Sequence, residues 1–312
     1  QTANIQVVFA PATAGSKLAS MVIIHNGNNA AGNVALSGGA LPQGSLLENF
    51  NATAFPSSGW VAENGWVRQT YSAYEGAGHA YISPTANATE VKLKTPLLSI
   101  HPNDSLVFYT KTTATAPFPV MKVMYAENVD GPWTQIGTDI AVNNSNYAKQ
   151  KVDLSSLSGS RYYIAFAVTC NSYKATYLDL VTGPVVYSAP EFKSTPNTSA
   201  LVNHSYTYEI ATDDVDGDNR SISATTLPSW LTLVDHNNGT ATLSGTPTEG
   251  GNHSVVIAVN DGLTNVEQTF EINVENNDAP VFTSTPGATA ITGQNYSYSI
   301  TTSDTENDAR TL

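Results

Sequence analysis

One stretch near the C-terminus occurs twice at a fixed offset. Ala189-Pro190-Glu191-Phe192 with Ser194-Thr195-Pro196 returns 90 residues later as Ala279-Pro280-Val281-Phe282 with Ser284-Thr285-Pro286. Tyr206-Thr207-Tyr208-Glu209-Ile210 returns at the same shift as Tyr296-Ser297-Tyr298-Ser299-Ile300. A period of that size lets each copy hold its own core, so it marks tandem β-domains in a modular chain.

The rest of the chain agrees with an all-β reading. Charged residues make up 12%, while Thr, Ser, Asn, Gly, Val and Tyr abound, and this mixture favours short strands and turns over amphipathic helices. Acidic residues outnumber basic ones 26 to 13, and the net charge of −13 argues against a nucleic-acid backbone as partner and suits a hard cation. Cys170 is the single cysteine, so no intrachain disulfide forms. It closes the apolar run Tyr162 to Val168 and reads as a small buried hydrophobe rather than a nucleophile. No apolar run reaches the length of a membrane span, and Gln1 opens onto a strand-like pattern without a signal peptide, so a mature or excised segment is expected.

Four segments follow along the chain. Residues 1–40 alternate as strands around the turn Asn26-Gly27-Asn28-Asn29, and the pattern VVFAPATAG…LASMVIIHNG…VALSGG resembles the closing half of an abnormal-spindle-type immunoglobulin-like domain. Residues 41–188 form the longest block without a repeat. Leu47-Glu48-Asn49-Phe50, Pro56 to Trp60, Lys94 to Leu98, Val152 to Ser155 and Tyr163 to Val181 resemble, in order, the cleaved-adhesin domains of bacterial surface proteins, which implies a two-sheet jelly roll. Residues 189–278 are one complete repeat. Leu227-Pro228-Ser229-Trp230, Gly239 to Pro247 and Val255 to Gly262 resemble the bacterial immunoglobulin-like and dystroglycan-type cadherin-like modules. Residues 279–312 begin a second, truncated copy. The fold class expected is therefore a jelly-roll β-sandwich flanked by immunoglobulin-like and cadherin-like β-sandwich modules.

The first candidate site is acidic. Asp214, Asp216 and Asp218 place carboxylates at alternate positions around Gly217, and the second copy keeps the spacing as Asp304, Glu306 and Asp308. Calcium takes six to eight hard oxygens, and such a loop supplies several of them; the alternative is an ordinary solvated turn. By resemblance to the cadherin linker, Asn277, Asp278, Asp304 and Glu306 form one cluster at the joint between copies, with Asp261 as a further ligand. In the jelly roll, the cleaved-adhesin resemblance implies a second Ca²⁺ near Glu48 and Asp179. Here one of the family's paired acids is missing, since the run reads Leu178-Asp179-Leu180.

The second candidate site is aromatic. Trp66, Tyr71 and Tyr74 share the stretch NGWVRQTYSAYEGAGHAY with His79 and Tyr81. Flat rings with polar neighbours bind sugar faces, and they also build sandwich cores. Catalysis finds little support: the six histidines are scattered, no HExxH or GxSxG run occurs, and nothing pairs Glu48, Glu63, Glu75 and Glu90 across a cleft. The ten Asn-X-Ser/Thr triplets read as chance in a chain so rich in these residues.

A non-catalytic extracellular adhesin-like segment of bacterial type is expected, recognising a glycan or a matrix or surface protein on a calcium-stiffened stalk. Two other classes stay open. One is the accessory region of a secreted hydrolase, and the other a structural subunit that self-assembles through its incomplete terminal domains.

Overall fold

The computed structural model describes residues 15–23, 32–82, 89–170, 175–276, 278–305 and 311. These divide into two compact units, Gln1–Ser188 and Ala189–Leu312. Among the described residues every regular element is a β-strand apart from one 3₁₀ turn at Ser155–Leu157, and no helix is long and apolar enough to cross a membrane.

In the first unit β1 (Gly15–Ile23) and β2 (Gly32–Ala40) pair antiparallel as a separate ribbon. Next come β3 (Ser45–Glu48), β4 (Val61–Ala62), β5 (Trp66–Gln69), β6 (His79–Ile82), β7 (Thr89–Ile100) and β8 (Ser105–Lys111). The unit ends with β9 (Val120–Ala126), β10 (Thr134–Ala141), β11 (Ala148–Asp153), β12 (Ser160–Cys170) and β13 (Thr176–Val186). One layer runs β10-β9-β12-β7, and the other runs β11-β8-β13-β6-β5. β13 joins the two: Thr176 to Leu178 pair with β6, and Val185 and Val186 pair with β7. A register break between Asp179 and Thr182, with Leu180 at φ 44°, lets one strand serve both layers.

Period-two alternation builds the core. Leu106 and Phe108 of β8, Ile164 and Phe166 of β12, and Leu93 and Leu98 of β7 are buried, and Phe108 meets Phe166 edge-on at 4.9 Å across the layers. Trp60 stacks on Phe166 at 6.4 Å and is buried in this core.

The second unit holds β14 (Glu191–Phe192), β15 (Ser199–Leu201), β16 (Tyr206–Asp213), β17 (Ser221–Thr226), β18 (Leu231–Asp235), β19 (Thr240–Gly245), β20 (Gly251–Asn260) and β21 (Asn265–Glu275). They form two four-stranded sheets, β14-β16-β19-β18 and β15-β21-β20-β17, in which only β15 and β21 run parallel. Tyr208, Leu243, Ile257 and Ile272 fill the space between them, with Tyr208 edge-on to Phe270 at 5.9 Å. Trp230, half-buried, packs against this core and stands edge-on to Tyr206 at 5.8 Å. β22 (Val281–Phe282) and β23 (Thr302–Ser303) complete the described residues.

The repeat is visible in hydrogen bonds. Phe192 faces Thr212, and Phe282 faces Thr302. The Ser194 and Tyr208 hydroxyls meet at 2.7 Å, and those of Ser284 and Tyr298 at 2.5 Å. Tyr206 Oη donates to Asn197 O, and Tyr296 Oη donates to Gly287 O.

Candidate functional site

The outer face of the sheet β11-β8-β13-β6-β5 carries two of the three aromatic candidates, Tyr71 and Tyr74, on the loop that lies over it. On β6, His79 and Tyr81 alternate with the core residues Ala80 and Ile82; on β13, Tyr177 and Asp179 alternate with Leu178; on β8, Tyr109 and Lys111 alternate with Phe108. Register then aligns them: Gln69 faces His79, Tyr81 faces Tyr177, Tyr177 faces Lys111, and Asp179 faces Tyr109. Residues 70–78 connect β5 to β6 and lie over this face.

Three groups pin that loop. Asp179, fully buried, accepts the N–H of Tyr74 at 2.7 Å and of Glu75 at 3.2 Å on Oδ2, and that of Leu180 at 2.8 Å on Oδ1. Lys111 Nζ donates to Ser72 O at 2.8 Å and sits over the rings of Tyr147 (4.5 Å) and Tyr177 (4.8 Å). Arg68 donates to Phe50 O, Asn51 O and Ala77 O. The loop's own rings finish the packing. Tyr74 stacks on Tyr109 at 3.9 Å and 17°, with Tyr147 edge-on at 5.7 Å, and Tyr71 stands edge-on to His79 at 5.6 Å.

Burial sets the electrostatics of this layer. It raises the Asp179 carboxyl to about 6 against the lowering effect of its three amide donors, and it holds Lys111 below its ordinary value. Burial, then the positive charges of Lys111 and Arg68, push His79 down to about 4, so its imidazole is neutral at pH 7. Neither His79 ring nitrogen nor Tyr147 Oη has a hydrogen-bond partner among the described residues.

The three aromatic candidates part company here. Trp66 is 4% exposed and belongs to the core, so its expected place in a ligand platform is corrected: the indole is out of reach of a ligand. Tyr71 and Tyr74 are 51% and 46% exposed and present their outer surfaces to solvent. Glu75 and Lys149 lie close enough to Tyr74 to act on its hydroxyl electrostatically.

In the jelly roll, Glu48 and Asp179, the carboxylates expected near Ca²⁺, both accept backbone amides. Glu48 Oε1 accepts the N–H of Phe50 at 2.5 Å, and Asp179 holds the loop as described. Among the described residues no three His, Cys, Asp or Glu side chains gather in a metal-holding arrangement.

The acidic turn of the repeat brings two buried carboxyl groups together, with Asp218 half-buried two residues on. Asp214 and Asp216 are both buried, Asp214 Oδ1 accepts the Asp216 N–H at 3.2 Å, and the two carboxyl groups lie within hydrogen-bond reach of each other. Burial, then the adjoining Asp216 carboxylate, push the Asp214 carboxyl up to about 7, and the Asp218 charge adds to this. Two buried carboxyl groups set side by side are relieved by a shared proton or by a hard cation. Asp261, also buried, closes its own turn by accepting the N–H of Leu263 (2.8 Å) and Thr264 (2.7 Å). At the joint between copies Asp278 is exposed and Asp304 half-buried, while Asn277 and Glu306 lie outside the described residues.

Sequence reasoning missed Tyr109, Lys111, Tyr147 and Tyr177. Alternation held part of the signal, since Tyr109 and Lys111 share one parity opposite Phe108, and Tyr177 and Asp179 share one opposite Leu178. Strand order, which puts these pairs side by side, is not written locally.

Residues 183–275 match the family described as Putative Ig domain, from the end of β13 through β21. No curated protein matches the chain. Solved structures similar to it include the CBM22-1 xylan-binding domain of Paenibacillus barcinonensis Xyn10C, at 20% identity and TM-score 0.35, covering 48% of this chain and 100% of that one. The K3 cleaved adhesin domain of Lys-gingipain from Porphyromonas gingivalis w83 is similar at 14% identity and TM-score 0.37, covering 45% and 98%. The glycoside hydrolase domain of Endo-D from Streptococcus pneumoniae R6 is similar at 13% identity and TM-score 0.30, covering 69% and 37%. At these identities and scores none of them lends this chain an activity.

Proposed function

We propose that this chain is a non-catalytic recognition protein, secreted or held at a cell surface, whose jelly roll binds a glycan against Tyr71 and Tyr74. The observation that carries the reading is the state of the 70–78 loop. Two tyrosines expose half of their surface while Asp179 and Lys111 hold the backbone beneath them. Tyr74 has one face spent on Tyr109, and its other side meets solvent beside Glu75 and Lys149. A sugar ring offers an apolar face to such a platform and hydroxyls to such neighbours. Because the loop is pinned before binding, little conformational entropy is lost when a ligand lands.

The test is retention of the full chain on immobilised polysaccharides (xylan, β-glucan, mannan and pectin), with immobilised matrix proteins alongside. Retention by one polysaccharide is expected, weakened about tenfold in Tyr71→Ala and in Tyr74→Ala, as loss of about 1.4 kcal/mol of ring contact implies. Retention by matrix protein alone, or full retention by a folded Tyr74→Ala chain, overturns the reading.

In the repeat, the buried Asp214–Asp216 pair binds Ca²⁺, with the Asp218 charge acting on it from two residues further on; the support is the burial of two adjoining carboxyl groups. The ion neutralises a carboxylate pair that burial otherwise destabilises, and so ties the turn that follows β16. Chelation is expected to lower the melting temperature of the full chain, and an Asp214→Asn chain is expected to lose that response. An unchanged melting temperature on chelation contradicts it.

A further inference from the structure

We infer that the Arg68 guanidinium takes, inside the jelly roll, the place that a metal ion fills in a calcium-held loop junction, so that the loop bearing Tyr71 and Tyr74 is set without calcium. Three backbone carbonyls from two separate segments converge on this one side chain. Arg68 Nε donates to Phe50 O at 2.6 Å, and Nη2 donates to Asn51 O at 3.1 Å and to Ala77 O at 3.4 Å. Carbonyl dipoles aimed at one point repel each other unless a cation sits there, and backbone carbonyls are among the oxygens that Ca²⁺ itself collects. A guanidinium stays charged at every working pH and presents several donors in a fixed fork, so it gathers such oxygens permanently.

The surroundings are shaped to that side chain. Gly78 is buried, and a Cβ there would lie 2.3 Å from Phe50 O and 2.6 Å from Arg68 Nε, so any other residue evicts the guanidinium or the carbonyl. Phe50 holds a left-handed φ of 54°, a conformation unfavourable for a bulky residue. It is fixed from both sides, its N–H by Glu48 Oε1 and its carbonyl by Arg68. Asn51 Oδ1 accepts the Ala77 N–H, which ties the same two segments a second time. Glu48 and Asp179 meanwhile tie the same junction through amide hydrogens, Glu48 from Phe50 and Asp179 from Tyr74, Glu75 and Leu180, so charge-assisted bonds from the chain itself hold both sides. Arg68 is thus a positioning residue for the 70–78 loop, and its role is independent of what that loop binds.

Hydrogen exchange of the full chain, read peptide by peptide, tests this. In the native chain EGTA is expected to leave exchange over residues 70–78 unchanged. Arg68→Met is expected to speed exchange of the 76–78 amides about tenfold, the loss of one charge-assisted hydrogen bond, while β12 and β21 keep native rates. Faster exchange of 70–78 in the native chain on EGTA alone overturns the inference, as does native exchange there in Arg68→Met. Should Arg68→Met fail to fold, Gly78→Ala, which crowds the guanidinium while keeping its charge, is expected to give the same local loosening, and native exchange in that variant contradicts it.

Discussion

Three aromatic residues within nine positions take opposite roles, and the difference is measurable. Trp66→Ala removes a core indole and is expected to destabilise the jelly roll by about 3–5 kcal/mol, whereas Tyr71→Ala and Tyr74→Ala, half exposed, are expected to lower stability by no more than about 1–2 kcal/mol. Chemical denaturation of the three variants checks this, and equal losses contradict it. The run NGWVRQTYSAYEGAGHAY showed that rings were concentrated there but not which way each one faces. That depends on where β5 stops: Trp66 lies within the strand and takes a core position, while Tyr71 and Tyr74 fall past its end at Gln69. His79 and Asp179 carry opposite pH signatures. His79 has a pKa of about 4 when buried against 6.5 when exposed, so the open loop takes the proton and closure weakens as pH falls through that window. Asp179 has a pKa of about 6 when buried against 3.8 when exposed, so the closed loop holds a proton the open one lacks and closure strengthens as pH falls from about 6 towards 4. The native chain is therefore expected to show a shallow dependence. Between pH 6.5 and 4.5 the melting temperature of Asp179→Asn is expected to drop and that of His79→Gln to rise relative to native; slopes of the same sign in both variants contradict the assignment.

At the scale of elements, the strands were legible and their partners were not. Apolar–polar alternation is readable in Ser105 to Thr110 and in Val120 to Tyr125, and both stretches are strands. The change of partner along β13 has no local mark apart from the missing acid in Leu178-Asp179-Leu180, and the structure puts the register break there, with Leu180 at a positive φ. The calcium expected at Glu48 and Asp179 came from a resemblance between strand sequences. The role proposed for Arg68 at that junction rests on its long-range meeting with Phe50, Asn51 and Ala77, and such a meeting depends on the folded path of the loops rather than on any one motif. The acidic turn after β16 was legible because all its parts lie within five residues. Since Asp214 titrates near 7, protons compete with a cation there, and calcium affinity is expected to fall by up to about tenfold per pH unit below 7. Calcium titrations at pH 7.5, 6.5 and 5.5 check this, and an affinity constant across that range contradicts it.

At the scale of the whole molecule, the 90-residue offset was the strongest sequence signal, and the hydrogen bonds of Ser194, Tyr206 and Tyr208 recur at the same offset in Ser284, Tyr296 and Tyr298. The array reads from sequence because each copy repeats its own local chemistry; the proposed recognition face does not, because it is assembled from β5, β6, β8, β13 and the approach to β11, which lie far apart in the chain. The proposed division of labour has a pinned tyrosine loop that meets the ligand and a repeat whose acidic turn takes the cation, so ligand binding and calcium dependence belong to different parts of the chain. The most direct test is affinity electrophoresis of the full chain in gels containing the polysaccharide that retains it, run for native, Tyr74→Ala and Asp214→Asn chains with and without EGTA. The account expects retardation of the native chain with and without EGTA, its loss in Tyr74→Ala, and its persistence in Asp214→Asn. Retardation that survives Tyr74→Ala in a folded chain, or that vanishes with EGTA in the native one, contradicts it.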